Sequence, residues 1–349
     1  MKWNPLQAYR SLKYWYRHVW KQENYFSVPL KTKIKYALRG FNTNEYCWYH
    51  LTDENYREYI SDYQRRKSRN INGVYKIVLD DKLLFEEIFR HYVRVPAVYA
   101  WLSDGMLYSL HGYEVTMKNF SAFLTQKQKT VLKWIRGHEG KGTFVITALE
   151  QHQFDVNGEK KTAQEIMKLC SGYGDAILCE YIRQSAFEDA LYPDSTNTLR
   201  IVCAKKKHEQ SARVLKAVQR IGNNTSKPVD NVSQGAISCE VNIHTGELGR
   251  CFVAKQHGTW SSGFEIHPDT GVQITGRKIP GWEQLVQEIE TLTNRFPWLG
   301  FVAWDILLTE EGYCVIEGNA SAGCTMFQME HGIKYEELGD IYRSYGIFK

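Results

Sequence analysis

Residues 301–325, FVAWDILLTEEGYCVIEGNASAGCT, decide the fold of this chain. Two short apolar runs, at 301–308 and 313–316, are joined by a polar turn at 309–312. Short apolar runs separated by a turn that contains glycine are typical of the strands of an antiparallel hairpin. The stretch therefore predicts a buried hairpin, around which the rest of the sequence can be placed.

Three oxygen-bearing side chains lie in this predicted hairpin. Asp305 falls inside the first strand, and Glu317 and Asn319 end the second. Positions two apart on a strand share a face, and the pairing of the strands can bring Asp305 beside the other two. Carboxylate and amide oxygens suit Mg²⁺, which is commonly held by one or two carboxylates and by substrate phosphates. The alternative is that the two acids face water and Asn319 lies in a turn.

The composition is that of a globular protein. The chain has 349 residues, 43% hydrophobic and 24% charged, enough to bury the core of one large or of a few small α/β subdomains. No apolar run of about 18 residues is present, and no apolar segment with a small-residue cleavage site begins the chain. The eight cysteines lie apart without a CxxC pair, which predicts reduced thiols and a cytoplasmic location.

Basic and aromatic residues are concentrated in residues 1–40. These residues include nine Lys or Arg and a single acid, Glu23, so their net charge is +8, whereas the whole chain has a net charge of +5. This mixture can bind an anionic membrane surface or an acidic partner. Alternatively, the aromatics pack inward in a helical subdomain while Lys and Arg reach solvent. Nucleic acid is not expected, because the basic stretch is confined to one end. The large aromatics among residues 1–20 are Trp3, Tyr9, Tyr14, Trp15, Tyr16 and Trp20.

Residues 65–105 predict ordinary secondary structure with one notable lysine. A basic run at 65–69 predicts a solvated helix face or loop, and residues 78–80 predict a short strand. A helix is expected from Asp81 to about residue 91, with Asp80 or Asp81 as its N-cap, and a strand is expected after Pro96. Lys82 begins that helix, and on its own a lysine in this position is usually a surface residue.

A glycine-rich loop separates two apolar strands at 130–146, TVLKWIRGHEGKGTFVI. Gly137, Gly140 and Gly142 lack a Cβ and accept positive φ, so the loop can fold over a ligand with its N–H groups toward phosphate. A Walker P-loop and a Rossmann turn both open a helix, whereas this loop joins two strands. Lys133 lies within the first strand, where burial of its ammonium is costly unless it meets an anion, and we interpret it as a phosphate ligand.

The next segment predicts an edge that can bind adenine. Thr162 is a suitable N-cap for a helix, and the apolar strand AILCEYI follows at 176–182. Adenine is commonly held in an apolar slot by backbone groups and one acceptor. The strand offers a backbone edge up to Ile182, and Glu180 can accept a hydrogen bond from the exocyclic amine.

Two arginines interrupt apolar strands, Arg200 in TLRIV and Arg220 in LKAVQRIG. A buried guanidinium requires a paired anion, which can be a ligand or a structural Asp or Glu. After Asp230 the sequence predicts a β-hairpin and then a helix from about Trp282 to Phe296, whose apolar stripe belongs to the core.

Taken in order, these features resemble the ATP-grasp superfamily from Lys82 to about Gln328. The segments NTLRIV, DNVSQGAI, HPDTG, IPGW and AWDILLTEEGYCVIEGNA are similar to a narrower group, the sugar-transfer-associated ATP-grasp proteins related to α-L-glutamate ligases. The resemblance implies an α+β fold in which two α+β subdomains clasp ATP, preceded by a basic, mainly helical extension. The expected limits are 1–75 for the extension, 76–185 for the subdomain with the glycine-rich lid, and 186–349 for the subdomain with the metal site.

The resemblance also implies roles for single residues. The family's usual ribose carboxylate corresponds to Phe187, so Gln184 or Glu188 is expected to substitute for it. The other implied assignments are Lys82, Lys133, Gly137, Gly140 and Gly142 for the ATP phosphates, Glu180 and Ile182 for adenine, Arg200, Arg220 and the N–H near Gly323 for a substrate carboxylate or oxyanion, and Asp305, Glu317 and Asn319 for Mg²⁺, expected as two ions.

The implied reaction is ATP-dependent ligation of a carboxylate to an amine through an acyl-phosphate. The expected substrate is a bacterial surface polysaccharide or its precursor, in the cytoplasm or peripherally on the inner face of the membrane. The alternatives are an ATP-grasp kinase that acts on a sugar hydroxyl and a nucleotide-gated scaffold for glycosyltransferases. Some carboxylate–amine ligases carry an Arg that clamps the substrate two residues before the first metal carboxylate. This chain has Ala303 at that position, so the resemblance assigns no residue to this role.

Overall fold

The computed structural model describes residues 5–137, 142–169, 174–254 and 261–349 and contains two seven-stranded sheets. The strands are β1 (Val98–Ser103), β2 (Met106–Ser109), β3 (Lys129–Trp134), β4 (Thr143–Ala148), β5 (Gln153–Val156), β6 (Glu159–Thr162), β7 (Ala176–Glu180), β8 (Thr198–Ala204), β9 (Arg213–Ile221), β10 (Ile237–Val241), β11 (Leu248–Val253), β12 (Ser261–Phe264), β13 (Phe301–Thr309) and β14 (Gly312–Asn319). The first sheet has the order β2-β1-β7-β3-β4-β5-β6 and the second β12-β11-β10-β9-β8-β13-β14. All pairings within them are antiparallel.

Helices surround the sheets and form the N-terminal region. Within the described residues the α-helices are α1 (Pro5–Trp15), α2 (Leu30–Leu38), α3 (Thr43–Trp48), α4 (Asp62–Arg65), α5 (Ile77–Asp80), α6 (Lys82–Phe89), α7 (Phe120–Lys127), α8 (Ala163–Lys168), α9 (Ala186–Leu191), α10 (Trp282–Asn294) and α11 (Glu337–Ser344). A π-helical turn, Tyr16–Trp20, follows α1 directly. The predicted α+β class, the helical N-terminal region and the hairpin at 301–319 are therefore confirmed.

The hairpin strand β13 is buried on both faces, which explains its nearly continuous apolar sequence. Trp304 is fully buried, its ring lies 5.1 Å from that of Phe89 on α6, and its Nε1 donates to Thr293 Oγ1 on α10 at 2.9 Å. The alternate residues of β13 belong to a second cluster, which includes Phe301 and Tyr342 of α11. The second sheet is thus covered by helices on both sides, and its core fixes the strands that carry the candidate site.

The N-terminal region is hydrogen-bonded to the C-terminal half of the chain, including strand β13 of the second sheet. Asn72 Oδ1 accepts hydrogen bonds from the N–H groups of Gly300 (2.9 Å) and Phe301 (3.1 Å), and its Nδ2 donates to Phe301 O at 2.7 Å. Gln328 exchanges two hydrogen bonds with the backbone of Ile60. These bonds join segments more than 200 residues apart in sequence. The proposed domain limits remain a prediction.

Two local predictions differ in outcome. The predicted strand at 78–80 is wrong, because these residues end the short helix α5, which the Asp81 N-cap separates from α6. The predicted hairpin after Asp230 is confirmed by the antiparallel pair β10 and β11. Among the described residues, no helix has both the length and the apolar character needed to span a bilayer.

Candidate active site

A row of polar side chains crosses one face of the second sheet. The strand register places Arg200 on β8 opposite Asp305 on β13, and Asp305 opposite Glu317 on β14. Thr198, two residues before Arg200, lies opposite Arg220 on β9. Directly paired residues and residues two apart project to the same face of a sheet. Five side chains from four neighbouring strands therefore converge there.

A β-bulge keeps this row polar without disturbing the core. Asp305 pairs with Glu317, but the next residue, Ile306, pairs with Val315, so that Ile316 has no direct partner. A bulge inserts one residue and reverses the face of the side chains beyond it. As a result Glu317 shares the polar face with Asp305, while Val315 is fully buried in the core.

Asp305 binds both arginines. Its Oδ1 accepts a hydrogen bond from Arg200 Nε at 2.7 Å, and its Oδ2 accepts one from Arg200 Nη2 at 2.7 Å and one from Arg220 Nη2 at 3.1 Å. Burial by itself raises the pKa of Asp305, but the two guanidinium groups outweigh it and lower the pKa below its usual value. Both arginines thus have the structural carboxylate partner that the sequence left as one of two alternatives.

Arg220 is shared with a second acid. Its Nε donates to Thr198 Oγ1 at 3.0 Å and lies 3.4 Å from Asp230 Oδ2, while the Thr198 hydroxyl donates to Asp230. Burial raises the pKa of Asp230, and Arg220 offsets part of that shift. Asp230 cannot be recognised as a site residue from the sequence, because a lone Asp at the start of a loop has no distinguishing pattern.

Lys82 joins the first sheet to the polar row. The side chain of Asp81 accepts hydrogen bonds from the first turn of α6, which fixes the start of the helix. From there Lys82 Nζ reaches to 3.6 Å from Glu317 Oε1 and donates to Gly137 O at 3.1 Å. The helix start, the glycine-rich loop and the predicted metal carboxylate therefore meet at one lysine.

The glycine-rich loop is described at its two ends. Gly142 has a φ of 76°, and a Cβ at this position would lie 2.0 Å from the Trp134 ring, so only glycine fits without displacement. Gly137 N donates to Trp134 O at 3.1 Å. Gly140 lies outside the described residues. Lys133 is half-buried on β3, where it pairs with Thr143 and Ile177 in the adjoining strands.

Apolar side chains flank the junction of the two sheets. The first sheet contributes a small cluster that includes Ile177 and Cys179, and a second cluster combines Ile182 with Leu307 and Cys314 of the hairpin. Burial raises the pKa of the Cys314 thiol to about 12, and the charges of nearby groups, among them that of Cys179, act on it as well. These two clusters lie along β7 and the segment up to Ile182, which is the part of the chain where the sequence predicts the apolar slot for adenine.

Glu180 lies at the end of β7, at the margin of this slot. Its N–H donates to Ala97 O at 2.8 Å, and its Oε2 accepts a hydrogen bond from Ala97 N at 3.3 Å. Arg94 Nη2 lies 3.9 Å from Glu180 Oε1. The carboxylate is thus fixed by the protein before any ligand binds.

Gln184 and Glu188 do not face the slot. Gln184 is 6% exposed; its Nε2 donates to Asp189 and to Tyr192 O, and its Oε1 accepts from Asn197 N. Glu188 is fully buried, and its Oε2 accepts a hydrogen bond from a glutamine side chain at 2.9 Å. Burial raises the pKa of Glu188 well above its usual value. This arrangement does not support the expected ribose contact of either residue.

The loop after β14 carries Gly323 and is held by the N-terminal region. A Cβ at Gly323 would meet no atom within 4 Å, so this backbone borders open space. Arg65 Nη1 donates to Ser321 Oγ at 3.4 Å, and Tyr49 OH lies 3.0 Å from Thr325 Oγ1. The predicted solvated face at 65–69 is therefore wrong for Arg65, whose side chain is only 15% exposed.

The donor set suits a hard cation. Glu317 is 28% exposed, and Asn319 donates from Nδ2 to Ala303 O at 3.3 Å, so that its amide oxygen can still act as an acceptor. Asp305 uses three of its roughly four lone-pair sites on the arginines. The oxygen chemistry therefore fits Mg²⁺, with Glu317 and Asn319 more accessible than Asp305.

A two-sheet fold with a glycine-rich loop, an apolar slot and a polar row between them defines the class of ATP-grasp proteins. The family described as sugar-transfer associated ATP-grasp matches residues 58–338, and the chain belongs to this family. A comparison with curated proteins found no match.

Several solved structures are similar in fold. D-alanyl-alanine synthetase A from Vibrio cholerae O1 biovar eltor has 11% identity and a TM-score of 0.45, over 77% of this chain and 66% of that protein. The ATP-grasp ligase PsnB complexed with a minimal precursor has 13% identity and a TM-score of 0.41, over 78% and 61%. N5-carboxyaminoimidazole synthetase from Staphylococcus aureus, complexed with ADP, has 9% identity and a TM-score of 0.38, over 71% and 45%. The chain thus spans 45% to 66% of these proteins.

Proposed function

We propose that this protein is an ATP-dependent carboxylate–amine ligase. The observation that carries the proposal is the meeting of Lys82, Glu317, Asp305 and the two arginines on one sheet face beside the glycine-rich loop. Three cations lie next to two carboxylates, of which Glu317 is the more exposed, and this arrangement can hold a polyphosphate and a substrate carboxylate together. Phosphoryl transfer needs chiefly such positioning and charge neutralisation.

In this proposal ATP lies at the junction of the two sheets. Adenine occupies the apolar slot next to Glu180 and Ile182, and Lys82 and Lys133 contact the phosphates beneath the loop that includes Gly140. Lys82 already has its ammonium in this position, because it bridges the loop backbone and Glu317. Bound Mg²⁺, expected as two ions held by Glu317, Asn319 and Asp305, would neutralise charge on the phosphates.

The chain's own residues would then position the substrate. Arg200 and Arg220 attract the carboxylate, whose oxygen takes the γ-phosphoryl group while the bond to ADP breaks. An amine next attacks the acyl carbon, an amide forms, and inorganic phosphate leaves with the electron pair of the acyl–oxygen bond. The N–H groups near Gly323, which borders open space, can stabilise the oxyanion of that step. No protein nucleophile is required.

The family's association with sugar transfer supports a carbohydrate context. We propose a bacterial surface polysaccharide or its precursor as the carboxylate or amine substrate, modified in the cytoplasm or at the inner face of the membrane. The assay therefore offers the protein carboxylates of several chemical classes.

Trapping with hydroxylamine tests the reaction class. The protein is incubated with ATP, Mg²⁺, hydroxylamine and a pool of uronic and amino acids, and the products are identified by mass spectrometry. A ligase yields a hydroxamate, ADP and phosphate, and Glu317→Gln serves as the inactive control. A phosphorylated sugar with ADP would identify a kinase instead. ATP binding without any product from a broad pool would favour the scaffold.

A further inference from the structure

The basic N-terminal helices expose apolar side chains in rows. On α2, Leu30, Ile34 and Leu38 recur at four-residue intervals and are 64%, 42% and 77% exposed. Because an α-helix has 3.6 residues per turn, these three lie along one line. The inner face of the same helix is formed by Tyr36 and Ala37, both buried. The helix therefore has an apolar row toward its core and another toward solvent.

The first helix has the same organisation. Tyr9, Leu12 and, just after α1, Tyr16 are 63%, 61% and 48% exposed. Trp15 faces the other way, and its Nε1 donates to Ala37 O on α2 at 2.9 Å. The inward-facing aromatics thus hold α1 on α2, whereas the outward face combines tyrosine, leucine and basic residues.

The charge around these rows is mainly positive. Residues 5–40 contain eight basic residues and a single acid, Glu23. Asp53, from the next segment, bonds to Lys35 and Arg39 at 2.7 and 2.8 Å. The basic residues are Arg10, Lys13, Arg17, Lys21, Lys31, Lys33, Lys35 and Arg39.

We propose that this face, formed by the outward sides of α1 and α2, binds the surface of an anionic lipid membrane. Exposed leucines and tyrosines flanked by lysine and arginine are the pattern of helices that lie in the interface plane, with apolar side chains among the acyl chains and cations at the headgroups. A second copy of the chain would bring two positive faces together, which charge repulsion opposes. Nucleic acid would leave the leucine rows without a partner.

This proposal goes beyond the proposed function and does not depend on it. Deletion of the first helix is a poor test, because Val19 is buried and Trp15 bonds to α2, so that removal would expose core. Substitutions confined to outward side chains leave these contacts in place.

The first experiment removes the apolar row of α2. The full-length protein and the triple variant Leu30→Ser, Ile34→Ser, Leu38→Ser are sedimented with vesicles of phosphatidylglycerol and phosphatidylcholine in equal parts, and with phosphatidylcholine alone. We expect salt-sensitive binding of the intact protein to the anionic vesicles only, and a loss of affinity on the order of tenfold or more in the variant. A matched control removes three equally exposed apolar side chains elsewhere and should bind as the wild type does: Met106→Ser, Met117→Ser and Ile266→Ser.

The second experiment removes charge. Arg10→Gln, Lys13→Gln and Arg17→Gln together should reduce affinity for anionic vesicles on the order of a hundredfold, since each basic residue at the surface contributes roughly a fivefold factor. The control is Lys118→Gln, Lys160→Gln and Lys278→Gln, which changes net charge equally on exposed positions elsewhere.

Circular dichroism melting curves establish that all variants fold. The proposal is overturned if the intact protein does not bind anionic vesicles at low salt. It is also overturned if each triple variant binds these vesicles with the same affinity as its control. It is equally overturned if analytical ultracentrifugation shows a dimer that the serine variant abolishes while vesicle binding is absent, because the face would then join two copies.

Discussion

Asp305 and Glu317 are both proposed metal ligands, but their surroundings differ, and replacing each by its amide separates their roles. Asp305 is 6% exposed and accepts three hydrogen bonds from Arg200 and Arg220 at 2.7, 2.7 and 3.1 Å. Glu317 is 28% exposed and has Lys82 Nζ at 3.6 Å. Asp305→Asn therefore leaves two buried guanidinium groups short of an anion, whereas Glu317→Gln weakens one partly exposed pair.

The expected stability losses differ accordingly. Removing one partner of a buried ion pair costs about 3–5 kcal/mol. For Asp305→Asn we expect the lower end, about 3 kcal/mol, because the amide oxygen still accepts hydrogen bonds and Asp230 lies 3.4 Å from Arg220. Glu317→Gln should cost less than about 1 kcal/mol, as is usual for partly exposed pairs. Both variants should lose turnover on the order of a hundredfold or more, since each lacks a charge facing the metal and phosphates.

Urea unfolding followed by circular dichroism measures these differences. Because the pKa of Asp305 is lowered in the folded protein, its contribution is present above the unfolded value near 3.8 and is lost as the pH falls through the folded pKa. The gap between wild type and Asp305→Asn should therefore be widest at neutral pH and close in acid. An Asp305→Asn variant as stable as the wild type at neutral pH would refute this description of the ion cluster.

Four further substitutions test single contacts. Gly142→Val should weaken ATP binding, measured by calorimetry, about tenfold or more, because φ is 76° and a Cβ would lie 2.0 Å from an indole ring. The control is Gly158→Val, where φ is 90° but no atom lies within 4 Å of a Cβ, and this variant should bind ATP as the wild type does. Glu188→Gln should change stability by less than about 1 kcal/mol below the ordinary pKa of 4.5, where the carboxyl is protonated in the folded and the unfolded chain, and should leave ATP affinity unchanged. Wild-type stability should fall as pH rises above the ordinary value of 4.5 toward the raised pKa, and an equal fall in the variant would contradict the assignment. Tyr49→Phe and Thr325→Val should each cost about 1 kcal/mol, and the double variant no more than either, whereas full additivity would exclude their hydrogen bond.

The hairpin could be predicted from sequence because its signals are local. Strand period, turn glycine and apolar runs lie within 25 residues, and pairing then places Asp305 opposite Glu317 and Ala303 opposite Asn319. The bulge at Ile316 could not be predicted, since it depends on which side chains the core accepts.

Contacts between distant segments could not be predicted. Arg200 and Asp305 are 105 residues apart, and Arg65 and Ser321 are 256 apart, so no spacing rule links them. Burial is equally non-local: the sequence predicts a ribose contact for Gln184 or Glu188, but the fold buries both side chains. For the same reason the sequence could not distinguish the fixed Asp305 from the accessible Glu317.

The charge balance of the site predicts how metal and nucleotide binding are linked. Asp305 and Asp230 are paired with two guanidinium groups, and Glu317 is paired with Lys82. The described cluster therefore has little net positive charge with which to attract a polyphosphate. Without Mg²⁺, Glu317 repels ATP, and at an effective dielectric constant of about 20 one unit charge about 8 Å away is worth roughly 2 kcal/mol, or about thirtyfold in affinity. Glu317→Gln should therefore bind ATP more tightly than the wild type in EDTA and less tightly in saturating Mg²⁺. Calorimetry under both conditions checks this reversal, and a variant that binds more weakly in both would show that Glu317 contacts the nucleotide without a metal between them.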